Sequence, residues 1–147
     1  MPSRLDYLRK ELDIRSLDAI LISSPENRAY LSGFVGSAGY LIITKDVAII
    51  ATDFRYVEQA KMQAPNYEVV KIGNKDQDWF ADLIVRLGIS HLGLEGDNVT
   101  VSLHERLISK IKGLKGPNSK NPPVIVISNV NLFPLEPYSP AARAAHM

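Results

Sequence analysis

Two short apolar runs separated by a polar break constrain the fold of this chain more than any other feature. The runs are residues 40–43 and 47–51, and the break is residues 44–46. Both runs are rich in β-branched residues and too short for helices, and the break has the length of a tight hairpin loop. The segment therefore predicts an antiparallel β-hairpin. Neither run alternates between apolar and polar residues, which indicates that helices cover both faces of the sheet.

The rest of the chain alternates between helical and strand patterns. The order is helix–strand–helix–strand–strand–helix–strand–helix–strand–helix. It predicts an α/β domain with a mixed sheet of about five or six strands, helices on both faces and the hairpin inside the sheet. The third helix is expected over residues 53–64. Polar capping residues mark the predicted helix starts: Ser3, Ser24, Asp53, Asp76 or Asp78, and a capping box from Ser102 to Glu105.

Composition excludes several classes of protein. None of the 147 residues is a cysteine, which excludes disulfides, thiolate metal sites and cysteine nucleophiles. The formal net charge is +1, and Lys and Arg are spread along the chain, so we expect neither nucleic-acid nor membrane-surface binding. No apolar run approaches the roughly 20 residues of a membrane span. The N-terminus lacks the apolar segment of a signal peptide, and we therefore expect a cytoplasmic location.

Three glycines, Gly33, Gly36 and Gly39, bracket a loop that precedes the hairpin. The loop lacks the Lys-Ser/Thr of a phosphate-binding motif, and a strand follows it rather than a helix. We therefore interpret it as a flexible turn or a site of close backbone approach. The aromatic residues around it fit either an interface patch or a core: Tyr30, Phe34 and Tyr40.

Candidate catalytic groups are few and scattered along the chain. Two-metal hydrolysis needs several converging carboxylates and usually a histidine, and the candidates are Asp53, Glu95 and Asp97. The histidines lack ligand spacing, and the loop serines lack a Gly-x-Ser-x-Gly elbow. These residues are His91, His104 and His146, and Ser23, Ser24 and Ser37. We predict no catalytic residue and no metal site in this chain, and keep a small metal-dependent hydrolase using Asp53 and Glu95 as an alternative.

The character of the sequence changes from Gly113 onward. Six of the nine prolines lie beyond Gly116, and residues 134–147 show no periodicity. We predict a domain over residues 1–114 and a Pro-rich extension or tail over residues 115–147, in which residues 124–127 are a candidate additional strand.

Five segments resemble, in order and spacing, the N-terminal domain of the creatinase/prolidase/aminopeptidase P family. They are Asp-Ala-Ile-Leu-Ile at 18–22, Pro-Glu-Asn-Arg-Ala-Tyr-Leu-Ser-Gly-Phe at 25–34, Gly-Tyr-Leu-Ile-Ile-Thr at 39–44, Thr-Asp-Phe-Arg-Tyr-Val-Glu-Gln-Ala at 52–60, and Leu-Gly-Leu-Glu at 92–95. The resemblance covers about residues 5–114. It implies an α/β fold whose topology is similar to that of ribonuclease H-like proteins.

The resemblance also implies a role. In that family this domain precedes a pita-bread catalytic domain, which cleaves Xaa-Pro bonds with two divalent metals, Mn or Co. Nothing in this sequence matches that second domain, so we expect a non-catalytic chain with no metal of its own. It would form a homo-oligomer, a dimer, through this domain or with the missing catalytic domain. Its role would be to pair subunits and to narrow substrate access. Proline-containing peptides would bind only in the full-length context.

By the same resemblance, Phe54, Arg55 and Tyr56 are expected to lie next to the substrate across a dimer. A guanidinium presents a planar fork that suits a carboxylate. The preferred alternative for Arg55 is an ion pair within the domain, with Asp53 or Glu58. A stand-alone protein-binding module of the same fold is the alternative function.

Overall fold

The computed structural model describes residues 3–73, 79–95, 99–112, 114 and 123–128. The helices are α1 (Arg4–Ile14), α2 (Pro25–Ser32), α3 (Val57–Gln63), α4 (Trp79–Arg86) and α5 (Val101–Ile111). The strands are β1 (Ala19–Ile22), β2 (Tyr40–Thr44), β3 (Ala48–Asp53), β4 (Glu68–Ile72), β5 (His91–Glu95) and β6 (Val124–Ser128).

The six strands form one mixed sheet in the order β4-β3-β2-β1-β5-β6. Strand β2 pairs antiparallel with both β1 and β3, whereas the β1–β5, β5–β6 and β3–β4 pairs are parallel. Five strands therefore run in the same direction, and their carboxyl ends share one edge of the sheet. The predicted mixed α/β sheet and its internal hairpin are confirmed.

Two apolar cores, one on each face of the sheet, explain why the hairpin strands do not alternate. Successive side chains of a strand point to opposite faces. Leu41 and Ile43 accordingly pack into the core under α1, α2 and α3, while Ile42 packs into the core under α4 and α5. Both sets are fully buried. Helices on both faces therefore explain why successive positions in the middle of these strands are apolar.

The predicted caps of the first two helices are confirmed. The Ser3 hydroxyl accepts a hydrogen bond from the Asp6 amide, and the Asp6 carboxylate accepts one from the Ser3 amide. The Ser24 hydroxyl accepts from the Asn27 amide, and α2 ends at Gly33, whose φ of 85° is left-handed. Glycine reaches that conformation without the strain that a Cβ would add.

The predicted start of α3 is wrong. This helix begins at Val57 rather than at Asp53, and the Tyr56 side chain at its N-cap makes no capping hydrogen bond. The Asp53 carboxylate accepts instead from the Arg55 amide and from the Arg55 guanidinium. Asp53 therefore stabilises the turn over residues 53–56, because Arg55 offers its carboxylate three N–H donors.

The predicted capping box of α5 is also wrong. The helix begins at Val101, and the Thr100 hydroxyl accepts from the Leu103 amide. Ser102 lies within the first turn. Thr100 and Ser102 are both competent caps, so the sequence pattern alone could not choose between them. Asp76 and Asp78, the candidate caps of α4, lie outside the described residues.

We expect Thr100→Ala to lower the free energy of unfolding by about 1 kcal/mol, because it removes the acceptor for an orphan amide of α5. Ser102→Ala is the matched control, and it should change stability by less than about 0.5 kcal/mol, as surface substitutions generally do. Urea unfolding curves of the two variants measure both values. The assigned cap would be wrong if Ser102→Ala were the more damaging change.

The candidate strand near the C-terminal part of the chain is present as β6, which extends the same sheet through parallel pairing with β5. The division of the chain at residue 114 stays a prediction. Residues 129–147 lie outside the described part of the chain. None of the described helices is long and apolar enough to span a lipid bilayer.

Candidate functional site

A cleft of about 480 Å³ lies at the edge of the sheet where the parallel strands end. In open α/β sheets this edge is where ligands usually bind, because loops and helix N-termini converge there. The ends of β1, β3 and β4 and the start of α5 all reach it. The lining residues include Ser23, Arg28, Ser37, Tyr40, Asp53 and Arg106.

Asp53 and Arg55 form a two-pronged ion pair at the rim of this edge. The Arg55 Nε lies 3.0 Å from Asp53 Oδ1, and Nη2 lies 2.8 Å from Oδ2. The hydrogen-bonded guanidinium lowers the pKa of the Asp53 carboxyl. The hydrogen bond to the Asp53 carboxylate in turn raises the pKa of Arg55. The preferred interpretation of Arg55, an ion pair within the domain, agrees with this geometry, and the partner is Asp53.

The two residues beside Arg55 differ in exposure. Phe54 is 72% exposed. The Tyr56 ring packs edge-on against Phe34 with centroids 6.3 Å apart, and its hydroxyl is hydrogen-bonded to Ser37. The Arg55 guanidinium lies 5.0 Å from the centroid of the Tyr56 ring. In the loop at residues 54–56, the side chains of Arg55 and Tyr56 therefore contact other residues of the domain, while the side chain of Phe54 is exposed.

Arg28 holds the glycine loop in place from α2. Its Nη1 donates to the carbonyls of Ser23 and Gly39 at 3.1 and 2.9 Å, and its Nη2 donates to the Gly36 carbonyl at 2.9 Å. The side chain is almost fully buried, with 3% of the residue exposed. Burial lowers the pKa of Arg28. One guanidinium therefore joins the end of β1, the loop and the start of β2.

The glycine loop is consequently held at several points, which argues against the interpretation as a flexible turn. The Thr52 hydroxyl donates to the Ala38 carbonyl, and the Val35 amide donates to the Gln63 side chain. The interpretation as a site of close approach is correct. A Cβ at Gly36 would overlap the ring of Phe34, and one at Gly39 would lie 2.9 Å from the carbonyl oxygen of Ala51.

Glu95 joins β5 to the segment that leads from β1 into α2. Its Oε1 accepts from the amides of Ser23 and Ser24 at 2.6 and 2.8 Å, and its Oε2 accepts from the Asn27 side chain at 2.6 Å. The residue is 5% exposed. Glu95 is the last residue of β5. Its carboxylate is therefore a structural acceptor for the start of α2.

The predicted metal-binding candidates do not come together in the described residues. No group of three or more His, Asp and Glu side chains there is arranged to hold a metal ion. Asp53 is engaged by Arg55, and Glu95 by three N–H donors. His91 Nδ1 lies 3.7 Å from the Asp18 carboxylate, at the other end of β5. Asp97 and His146 lie outside the described residues.

The aromatic residues near the loop are mainly core. Phe34 is fully buried, and Tyr30 packs against the same core. Tyr40 stacks on Trp79 with centroids 5.4 Å apart.

Sequence reasoning missed the role of Arg28. The available signal was an arginine four residues after the capping serine of α2, beside a loop whose glycines leave carbonyls without helical or strand partners.

The six-stranded sheet with one reversed strand, and the glycine loop held at its carboxyl edge, define a class of α/β domain. The chain belongs to the Creatinase/Prolidase N-terminal domain family, whose model matches residues 4–121.

Three relatives illustrate the relation. A peptidase of Bacillus subtilis named YqhT is 39% identical over 97 residues, which are 66% of this chain and 28% of that protein. The structure of an Xaa-Pro dipeptidase from Bacillus anthracis is 33% identical with a TM-score of 0.74, covering 85% of this chain and 32% of that one. The N-terminal domain of the cytoplasmic peptidase PepQ from Mycobacterium tuberculosis is 33% identical with a TM-score of 0.70, covering 90% of this chain and 98% of that one.

The chain thus spans less than a third of the length of the B. subtilis and B. anthracis relatives, but nearly all of the separate N-terminal domain. The resemblance inferred from the sequence motifs is confirmed.

Proposed function

We propose that this chain serves as the non-catalytic N-terminal domain of an Xaa-Pro metallopeptidase, where it pairs subunits and narrows access to a neighbouring active site. The observation that carries the proposal is the loop at residues 54–56. Phe54 is exposed to 72%, although it follows a buried strand, and its neighbours Arg55 and Tyr56 are fixed by contacts within the domain. An exposed aromatic residue beside side chains that are held in place suits an anchor at a protein interface.

The state of the carboxylates supports a non-catalytic role. A hydrolytic metal site needs carboxylates whose oxygen atoms are free to coordinate the ion. Both oxygen atoms of Asp53 and both of Glu95 accept hydrogen bonds from the chain itself. These two residues were the basis of the alternative hydrolase, which the geometry therefore disfavours.

The remaining parts of the proposal rest on the relatives, on the family resemblance of the sequence and on its composition. The B. anthracis relative is an Xaa-Pro dipeptidase, so the proposed substrate of the complete enzyme is a proline-containing peptide. The two divalent metals, Mn or Co, would bind in the catalytic domain rather than in this chain. The M. tuberculosis relative is a cytoplasmic peptidase, and we propose the same location here, with no nucleic-acid or membrane partner.

The non-catalytic role is tested with the purified chain. We expect no hydrolysis of Ala-Pro or Gly-Pro in the presence of Mn²⁺ or Co²⁺, and no stoichiometric Mn²⁺ binding in the micromolar range by calorimetry. Turnover that is lost in an Asp53→Asn variant would instead establish the alternative hydrolase.

The pairing role predicts that Phe54→Ser weakens self-association of the chain. We expect the dimer dissociation constant to rise by about tenfold or more, since truncating a central aromatic anchor usually removes more than 1 kcal/mol of binding energy. Light scattering over a concentration series measures this. Val85→Ser is the matched control, because Val85 is an exposed apolar residue of α4 (61% exposed) away from the loop. Pairing through residues 54–56 is refuted if both variants associate like the parent chain, or if the parent is monomeric throughout.

A further inference from the structure

Arg28 is a buried cation without a contacting counterion in the described part of the chain. Its three acceptors are neutral carbonyl groups, and its Nε donates to no group among the described residues. Glu26 and Glu95 act on it only through space. Carbonyl groups satisfy hydrogen bonds but do not cancel a charge, and a buried unpaired charge is unfavourable. Negative charge brought next to this site would therefore be stabilised.

The cleft beside Arg28 offers such a place. Arg106 lines it from α5, and within the described residues its guanidinium forms no ion pair. Helix α5 begins at the cleft with Thr100, and a helix N-terminus carries partial positive charge. The start of α2 also reaches the cleft, but the Glu95 carboxylate already accepts from the amides there. The carboxylate that lines the cleft, Asp53, is already neutralised by Arg55. Among the described residues that line the cleft, Arg28 and Arg106 are therefore the charged side chains that no carboxylate contacts.

We propose that this cleft binds a small oxyanion, a carboxylate or a phosphate group, with Arg106 as its direct partner and the buried charge of Arg28 in the wall of the cleft. Its volume of about 480 Å³ exceeds that of a bare anion and falls within the range of small-molecule sites, so an anion that carries an organic group fits. The site belongs to this domain alone, and its failure would leave the proposed role in a peptidase untouched.

The experiment uses the full chain and follows amide and arginine side-chain NMR signals during titration at constant ionic strength. The probes are inorganic phosphate, N-acetylproline and its neutral amide, N-acetylprolinamide. We expect saturable shifts at the cleft with at least one of the two anions and none with the amide. Saturation by N-acetylproline alone assigns a carboxylate ligand, and saturation by phosphate alone assigns a phosphate ligand.

The variant Arg106→Gln tests the direct contact without touching the hydrogen bonds of Arg28. It should weaken binding by about fivefold or more, the effect of losing one charge-assisted hydrogen bond. Arg86→Gln is the control, since Arg86 is a helix-surface arginine paired with Glu68 and does not line the cleft. The proposal fails if no probe saturates, if the amide binds as well as the acid, or if Arg106→Gln binds like the parent.

Discussion

Replacing Arg28 with methionine should lower the free energy of unfolding by about 3 kcal/mol, because it leaves three inward-facing carbonyl groups without their donor. These carbonyls belong to Ser23, Gly36 and Gly39, and the arginine is almost fully buried among them. Removing the buried charge also removes its desolvation penalty, so the loss is smaller than the sum of three hydrogen bonds. Urea unfolding measures the change.

Arg28→Lys separates charge from geometry. A lysine keeps the charge but carries no planar fork, so it cannot reach all three carbonyls at once. We expect a stability between that of the parent and that of Arg28→Met. Hydrogen exchange of the loop amides, residues 34–39, should accelerate in both variants. If the free energy of unfolding of Arg28→Met is within about 0.5 kcal/mol of that of the parent, the arginine does not hold the loop, since a neutral surface substitution has an effect of that size.

Replacing Glu95 with leucine should destabilise the chain by a comparable amount, about 3 kcal/mol. Leucine has a similar size but accepts no hydrogen bond, so the amides of Ser23 and Ser24 lose their acceptor in a region from which water is largely excluded. The Asn27 side chain loses its partner as well, but it lies nearer to solvent. Thermal and urea unfolding measure the effect.

Glu95→Gln is the informative comparison for this site. The glutamine oxygen can still accept from both amides, and the Asn27 amide can turn over to present its oxygen to the new NH₂ group. We therefore expect a loss well below that of Glu95→Leu, on the order of 1 kcal/mol, for replacing charge-assisted hydrogen bonds with neutral ones. Equal damage from both variants would show that the negative charge matters more than the acceptor geometry.

These two buried charged residues act on the same part of the molecule. Arg28 fixes the glycine loop, and Glu95 fixes the segment that enters α2. Together they shape the carboxyl edge of the sheet, which also carries the loop of Phe54 and the cleft. A variant at either position is therefore expected to alter partner contacts or ligand binding indirectly. Substitutions at Phe54 and Arg106 leave the hydrogen bonds of Arg28 and Glu95 in place, so they test those functions directly.

Local sequence patterns were sufficient for most of the elements. The two apolar runs of the hairpin, the Ser24–Pro25 start of α2 and its Gly33 end were predicted correctly, because each depends on residues close together in the chain. The starts of α3 and α5 were not. The Asp53 carboxylate accepts hydrogen bonds from Arg55 instead of capping α3, and Thr100 rather than Ser102 caps α5. At each of these two starts the local sequence allows more than one hydrogen-bonding arrangement.

By itself, the sequence determined that both faces of the sheet would be covered, since strands without polar positions must be buried on both sides. Its motifs also determined the family. Only the tertiary structure decided which polar groups meet at the carboxyl edge. Glu95 bonds to residues 68 to 72 positions away, and no local pattern encodes such a contact. Burial then makes each of these groups dependent on its partner, because water cannot replace a hydrogen bond inside the folded chain.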